Sequence, residues 1–271
     1  MRIAQILLRP ASYYDRKSRQ IDHAALAARH EVIETDFPGA LAAGAALAHV
    51  YGRGFQPPPR RRFLLPYVAS SPPRARRLPW SSPAQPRLIV SPLENLPEAV
   101  DDSYFAEGRE PGPPQTPPAA LRTVGTFGAE RPGITQMIEQ TLARIRRFRD
   151  DVEWVRFDSP PQPGDLARVD LWADPAVAGD DFDGFVAEAI AAGKVVVASR
   201  TPINVHRLEK GRTGFLVPPR DPNELTHAIL TALFKSEVAW VKIEAARQTA
   251  GKFRARHRLR ALERIYEAVT E

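Results

Sequence analysis

The chain has 271 residues, 43% hydrophobic and 26% charged, proportions that suit a soluble globular protein and a length that allows two domains with cores of their own. It holds no cysteine, which excludes disulfides and thiolate chemistry. The formal net charge of +6 is uneven: residues 37–93 contain no Asp or Glu but eight arginines (Arg53, Arg60, Arg61, Arg62, Arg74, Arg76, Arg77 and Arg87). Such a field either draws anionic partners or is simply a solvated face.

MRIAQILLRP has too short an apolar core for a signal peptide, and the longest apolar run, residues 40–50, is far short of a membrane span. A cytoplasmic protein is expected, one whose Arg-rich 53–87 stretch could touch the inner membrane face. Residues 2–8 read as a first buried strand. A helix is expected over 20–29, a second strand over 30–36 and an alanine-rich helix over 40–49. A third strand is expected near 49–54 and a fourth over 61–70. Sixteen of the 27 prolines fall between Pro57 and Pro118, and the densest run, PGPPQTPP at 111–118, favours extended backbone. It reads as the linker between a reduced first domain, residues 1–110, and a second, residues 119–271.

The second domain alternates strands and helices. Strands are expected at 121–128, 151–157 and 169–177, with a helix at 133–148 whose Ile134, Met137, Ile138, Leu142 and Ile145 share one face. A short helix is expected at 166–169. Residues 180–199, DDFDGFVAEAIAAGKVVVAS, read as a helix with an apolar stripe, a Gly193 C-cap and a strand buried on both faces. Glu188 interrupts that stripe, and a buried carboxylate needs a partner, so it is either a satisfied core group or a ligand contact. A helix at 222–234 and a long helical tail from 236 complete the pattern, that of a parallel sheet covered on both faces.

The 180–199 stretch resembles the donor-binding signature of the family-4 retaining glycosyltransferases, which have the two-domain GT-B architecture. EAIAAGKVVVAS is similar to its E-A-x-A-x-G-x-P-V-V-A-S, and GRTGFLVPPRDPNEL at 211–225 resembles the family's G-x-T-G-x-L-V-x-P-x-D-x-x-x-L. The resemblance implies an α/β fold of two Rossmann-like domains with parallel sheets, the first reduced. It also implies a donor site needing no metal and no cofactor besides the nucleotide-diphosphate sugar itself. Carried over by position, Asp180 contacts the transferred sugar, with Phe182 beside it, and Glu188 binds the ribose. GTFGAERPG at 125–133 stands where the family has G-R-L-x-x-x-K-G. Gly125 opens it, Thr126 replaces the arginine and Arg131 replaces the lysine. Arg131 is then a phosphate clamp, or else a surface charge before a turn. Asp180, Asp181 and Asp183 could also be a solvated acidic loop.

Other family positions differ. The strand at 61–70 ends in VASSPP without the reaction-centre histidine. His49 matches the preceding V-V-H-x-H loosely and suits a structural role. In SRTPINVHRL, Pro202 and Ile203 replace a glycine pair and His206 replaces a glutamate. The leading expectation is a glycosyltransferase that moves a sugar from a nucleotide donor to an anionic or lipid-linked acceptor, in cell-surface polysaccharide or glycolipid assembly. The alternative is a catalytically inactive GT-B relative acting as a binding module. Nucleic acid is not expected as a partner, since no helix-turn-helix, finger or aromatic-interleaved pattern occurs.

Overall fold

A computed structural model describes residues 2–7, 13–34, 47–51, 67–69, 98–105, 121–128, 131, 133–176 and 184–270. Two compact units emerge. The first joins residues 1–99 to 253–271, and the second is residues 100–252. Each has its own parallel sheet, and the α/β class expected from the sequence is the one observed.

In the first unit, β1 (Arg2–Leu7), β2 (Glu31–Glu34), β3 (Leu47–Tyr51) and β4 (Tyr67–Ala69) lie in the order β2-β1-β3-β4. Ile3 is opposite Val32 on one side and Leu47 on the other. Helix α1 (Tyr13–Ala27) links β1 to β2 and packs on the last helix of the chain, α8 (Ala255–Thr270). Ile3, Leu26, Leu262 and Tyr266 form the core of this unit. Beside them the Arg258 guanidinium donates to both oxygens of Asp22, at 2.5 and 2.9 Å, with both side chains buried.

The second unit holds β5 (Arg122–Phe127), β6 (Val152–Phe157), β7 (Leu171–Asp174), β8 (Val195–Ser199) and β9 (Phe215–Val217) in the order β6-β5-β7-β8-β9. The β-branched run of β8 is buried at every position, as a central strand covered on both faces must be. Helices α2 (Ile134–Ile145) and α6 (Pro222–Phe234) cover one face together. Ile134, Met137, Ile138 and Ile145 meet Val124, Leu171, Val195, Val197 and Ile229 there. Each such side chain contributes about 1.5–3 kcal/mol on burial. Short helices α3 (Pro163–Ala167), α4 (Val186–Ala191) and α5 (Pro202–Arg207) connect the strands, and α7 (Ser236–Ala250) packs on α4, α6 and β8.

Several expectations shift. Leu47 and Ala48, read as the end of a helix, belong to β3; residues 40–46 lie outside the described part of the chain. Helix α1 begins at Tyr13 instead of Gln20; its first half offers no apolar stripe from which periodicity could mark it. The helix expected at 166–169 starts earlier, where Pro163 takes the first position and the Gln162 backbone amide donates to the Asp165 carboxylate at 2.8 Å. The stretch SRTPINVHRL, for which no helix is expected, contains α5, started by Thr201, whose hydroxyl accepts from the Asn204 amide at 3.3 Å. The tail is two helices, α7 and α8, separated at Gly251. The eight arginines of 53–87, the linker at 111–118, Asp180, Asp181, Phe182 and Asp183 all lie outside the described residues. No described helix is long and apolar enough to cross a membrane.

Candidate functional site

In an open parallel sheet, ligands bind beyond the carboxyl ends of the strands where the strand order reverses. In the second unit that point lies between β5 and β7, because the chain leaves β5 for β6 on one side and returns to β7 on the other. The groups beyond these two strand ends therefore matter most.

Arg131 bridges them. It sits in the loop after β5, where its Nε donates to the Gly128 carbonyl at 2.9 Å. Its Nη2 donates to the Pro175 carbonyl, just past β7, at 3.2 Å, and lies 3.5 Å from Asp174 Oδ1. A planar guanidinium held from both sides has lost most of its rotamer freedom, so a cation is fixed at the switch point. Helix α2 starts immediately behind this loop from a left-handed Gly133, placing the positive end of its dipole at the same point.

Asp174 is the hub beneath Arg131. It is buried, and its Oδ2 accepts from Asn204 Nδ2 at 2.8 Å. Asn204 also donates to the Ser199 carbonyl at 3.1 Å, and the Ser199 hydroxyl accepts from the Ala176 amide at 2.9 Å. The loops after β7 and β8 are thereby tied to the residue that holds Arg131. The backbone of Gly184 presses on Asp174 so closely that a Cβ there would stand 2.0 Å from Oδ1.

Gly184 leads into α4, whose N-cap, Phe185, takes the left-handed conformation at φ 63°. An aromatic cluster holds it there. Phe185 meets Phe127 edge-on at 5.3 Å and Tyr104 at 5.9 Å, while Trp172 stacks on Phe157 at 5.8 Å and donates its indole N–H to the Gly184 carbonyl at 2.7 Å. Glu188 follows in the first turn of α4 and is buried along with the whole helix. An acidic side chain in that turn also complements the helix dipole.

The remaining expected residues fall in different places. Gly125 lies within β5, where a Cβ would meet Val169 at 2.9 Å and the Trp172 ring at 3.0 Å, so its bare Cα is what admits the indole. Thr126 faces the opposite side of β5, fully buried, and its hydroxyl finds no hydrogen-bond partner among the described residues. His206 is exposed on α5, whereas Asn204 and Arg207, one turn apart on that helix, are buried. The structure thus brings Arg131 into a network with Asp174, Gly184 and Asn204 that leads directly into the helix of Glu188. Asp174, Asn204 and Arg207 were not singled out from sequence. The signal for Asp174 was a carboxylate ending an otherwise apolar strand, LWAD, directly before a proline.

Residues 115–234 match the family model described as glycosyl transferases group 1. None of the curated proteins matches the chain in sequence. Among solved structures, a glycosyltransferase from Rickettsia africae is similar over 100% of this chain and 98% of its own, with 12% identity and a TM-score of 0.64. Sucrose-phosphate synthase from Thermosynechococcus elongatus is similar over 99% of each chain, with 14% identity and a TM-score of 0.61. HepE from Anabaena, solved in complex with UDP-glucose, is similar over 99% of this chain and 100% of its own, with 16% identity and a TM-score of 0.52. At such identities the likeness is one of fold, and the fold is that of the GT-B glycosyltransferases.

Proposed function

We propose that the protein is a retaining glycosyltransferase of the family-4 type, which binds a nucleotide-diphosphate sugar and transfers the sugar to an acceptor. The observation that carries this reading is Arg131, fixed across the β5–β7 switch point by Asp174 and by carbonyls on both sides. In the proposed complex the donor diphosphate lies on Arg131 and the start of α2, where charge builds up as the bond from the anomeric carbon to the phosphate oxygen breaks. An acceptor oxygen forms the new bond to that carbon on the same face and gives up its proton. Glu188 takes the ribose diol, for which two carboxylate oxygens are suited, and Asp180 with Phe182 takes the sugar. Gly125 and Thr126, in the strand that leads into this loop, and His206, on α5, are assigned to the donor by the resemblance alone. The acceptor is assigned to the first unit, whose arginines between 53 and 87 favour an anionic or lipid-linked molecule of cell-surface polysaccharide or glycolipid assembly, met at the inner membrane face.

Calorimetric titration of UDP, GDP and ADP, each with its sugar conjugates, into wild type, Arg131→Ala and Glu188→Ala tests this reading. One nucleotide series is expected to bind, and each substitution to weaken it about tenfold or more, the loss expected for a charge-assisted hydrogen bond. UDP is the first choice because a protein of the same fold, HepE, was solved with UDP-glucose. Nucleotide release on adding acceptor extracts would then establish turnover. Absence of nucleotide binding at millimolar concentration overturns the enzyme reading and leaves the binding-module alternative.

A further inference from the structure

A pocket of about 310 Å³ lies at the outer edge of the second unit, over β9, which pairs only with β8 among the described strands. It shares no lining residue with the Arg131 network. Arg200, Lys210 and Lys242 line it from three different elements, against the single carboxylate of Glu224, and Phe215 supplies part of an apolar wall. We propose that this pocket is a second binding site, for a small phosphate monoester whose dianionic head meets Arg200, Lys210 and Lys242 and whose apolar body lies against Phe215.

Charge matching selects the head group. Three cations facing one carboxylate leave an excess suited to a dianion, and a phosphate monoester carries about −1.5 to −2 charges at neutral pH. The volume suits a small ligand, lying at the lower end of the roughly 300–1,000 Å³ of small-molecule sites. Lys242 is already positioned: its Nζ donates to the Gly211 carbonyl at 2.6 Å and stands 4.8 Å from the centre of the Phe215 ring. Burial pushes its ammonium below the ordinary lysine value, a cost that an arriving anion relieves.

The backbone beside the pocket is strained as well. Glu209, Lys210 and Gly211 are successive left-handed residues, at φ 48°, 59° and 98°. Non-glycine residues keep such angles only where their surroundings enforce them, and such sites cluster at ligand clamps. Here Lys252 and Arg212 hold the Glu209 carboxylate, while Lys242 holds the Gly211 carbonyl. Lys210, the middle residue of this run, lines the pocket.

A free phosphate monoester and a phosphatidic acid headgroup present the same chemistry, so the whole protein is titrated separately with phenyl phosphate and with phosphatidylcholine vesicles carrying phosphatidic acid. Saturable binding of at least one is expected. It should weaken about tenfold in the Arg200→Gln/Lys210→Gln double variant, whose two side chains are exposed and leave the core intact, and again in Lys242→Met. Arg146→Gln, an exposed arginine remote in sequence from the pocket, should leave it unchanged, as should saturation with UDP. Failure of both probes to bind overturns the proposal. Equal weakening by Arg146→Gln overturns it too, since the interaction would be nonspecific charge attraction. Displacement by UDP also overturns it, because the probe would then occupy the nucleotide site. The UDP arm is read only where the calorimetric titration shows UDP to bind; the probe and variant arms stand without it, so failure at this pocket and failure of nucleotide binding are read separately.

Discussion

At the scale of single residues, two glycines bracket α4 for different physical reasons. At Gly184 the obstacle is space, since a Cβ would stand 2.0 Å from Asp174 Oδ1. Gly184→Ala must push Asp174 or α4 aside, and urea unfolding is expected to show a loss of about 1–3 kcal/mol. At Gly193 nothing lies within 4 Å of the added carbon, but φ is +71°, so Gly193→Ala should cost only the left-handed strain of about 1–2 kcal/mol. If the site reading holds, only the first should also weaken nucleotide binding, because only Gly184 touches the residue that holds Arg131. A third residue-scale effect concerns acid. Burial acts to raise the Glu209 carboxyl, but hydrogen bonds from Lys252 and Arg212 outweigh it and hold the group below its ordinary value of 4.5. A depressed carboxylate contributes stability that is present above the unfolded value and lost as pH falls through the folded one. Urea midpoints between about pH 3 and 6 should therefore fall less steeply toward acid in Glu209→Gln than in wild type.

Among whole elements, the pairing of α1 with α8 gives the sharpest case. Asp22 and Arg258 are 1% and 4% exposed, so removing one partner strands a charge in the core. Asp22→Ala is expected to cost about 3–5 kcal/mol, whereas Asp22→Leu with Arg258→Leu should recover most of that loss in a double-mutant cycle. The ease with which an element is read from sequence follows the same physics. Strand β8 and helix α2 are plain because their apolar patterns match what they bury. The first half of α1 is hidden because it offers no stripe, and it even buries Lys17, a residue type that pattern reading assigns to solvent. Helix α5 carries an ordinary start signal, Thr201 then Pro202, which a comparison centred on absent glycines passes over. Arg131 and Glu188 stand out as candidates because each occupies a place in a local motif. Asp174 is not, since its role exists only once Asn204, 30 residues later, and the loop of Arg131 converge on it.

For the molecule as a whole, the division into two units sets the expected folding behaviour. The second unit is one continuous segment with its own core. A fragment of residues 100–252 is expected to unfold cooperatively and give dispersed amide resonances; a broad, non-cooperative melt would show that it depends on the rest of the chain. The first unit is discontinuous, its N-terminal sheet completed by α8 from the far end of the sequence. On the ribosome this imposes an order of events. Ile3 and Leu26 emerge early, but Leu262 and Tyr266 cannot join them until the whole intervening unit has been translated, a delay of roughly ten to fifty seconds at cellular elongation rates. During that interval Ile3 and Leu26 lack the partners that α8 brings, and holdase chaperones should cross-link to the nascent N-terminal segment until the last helix arrives.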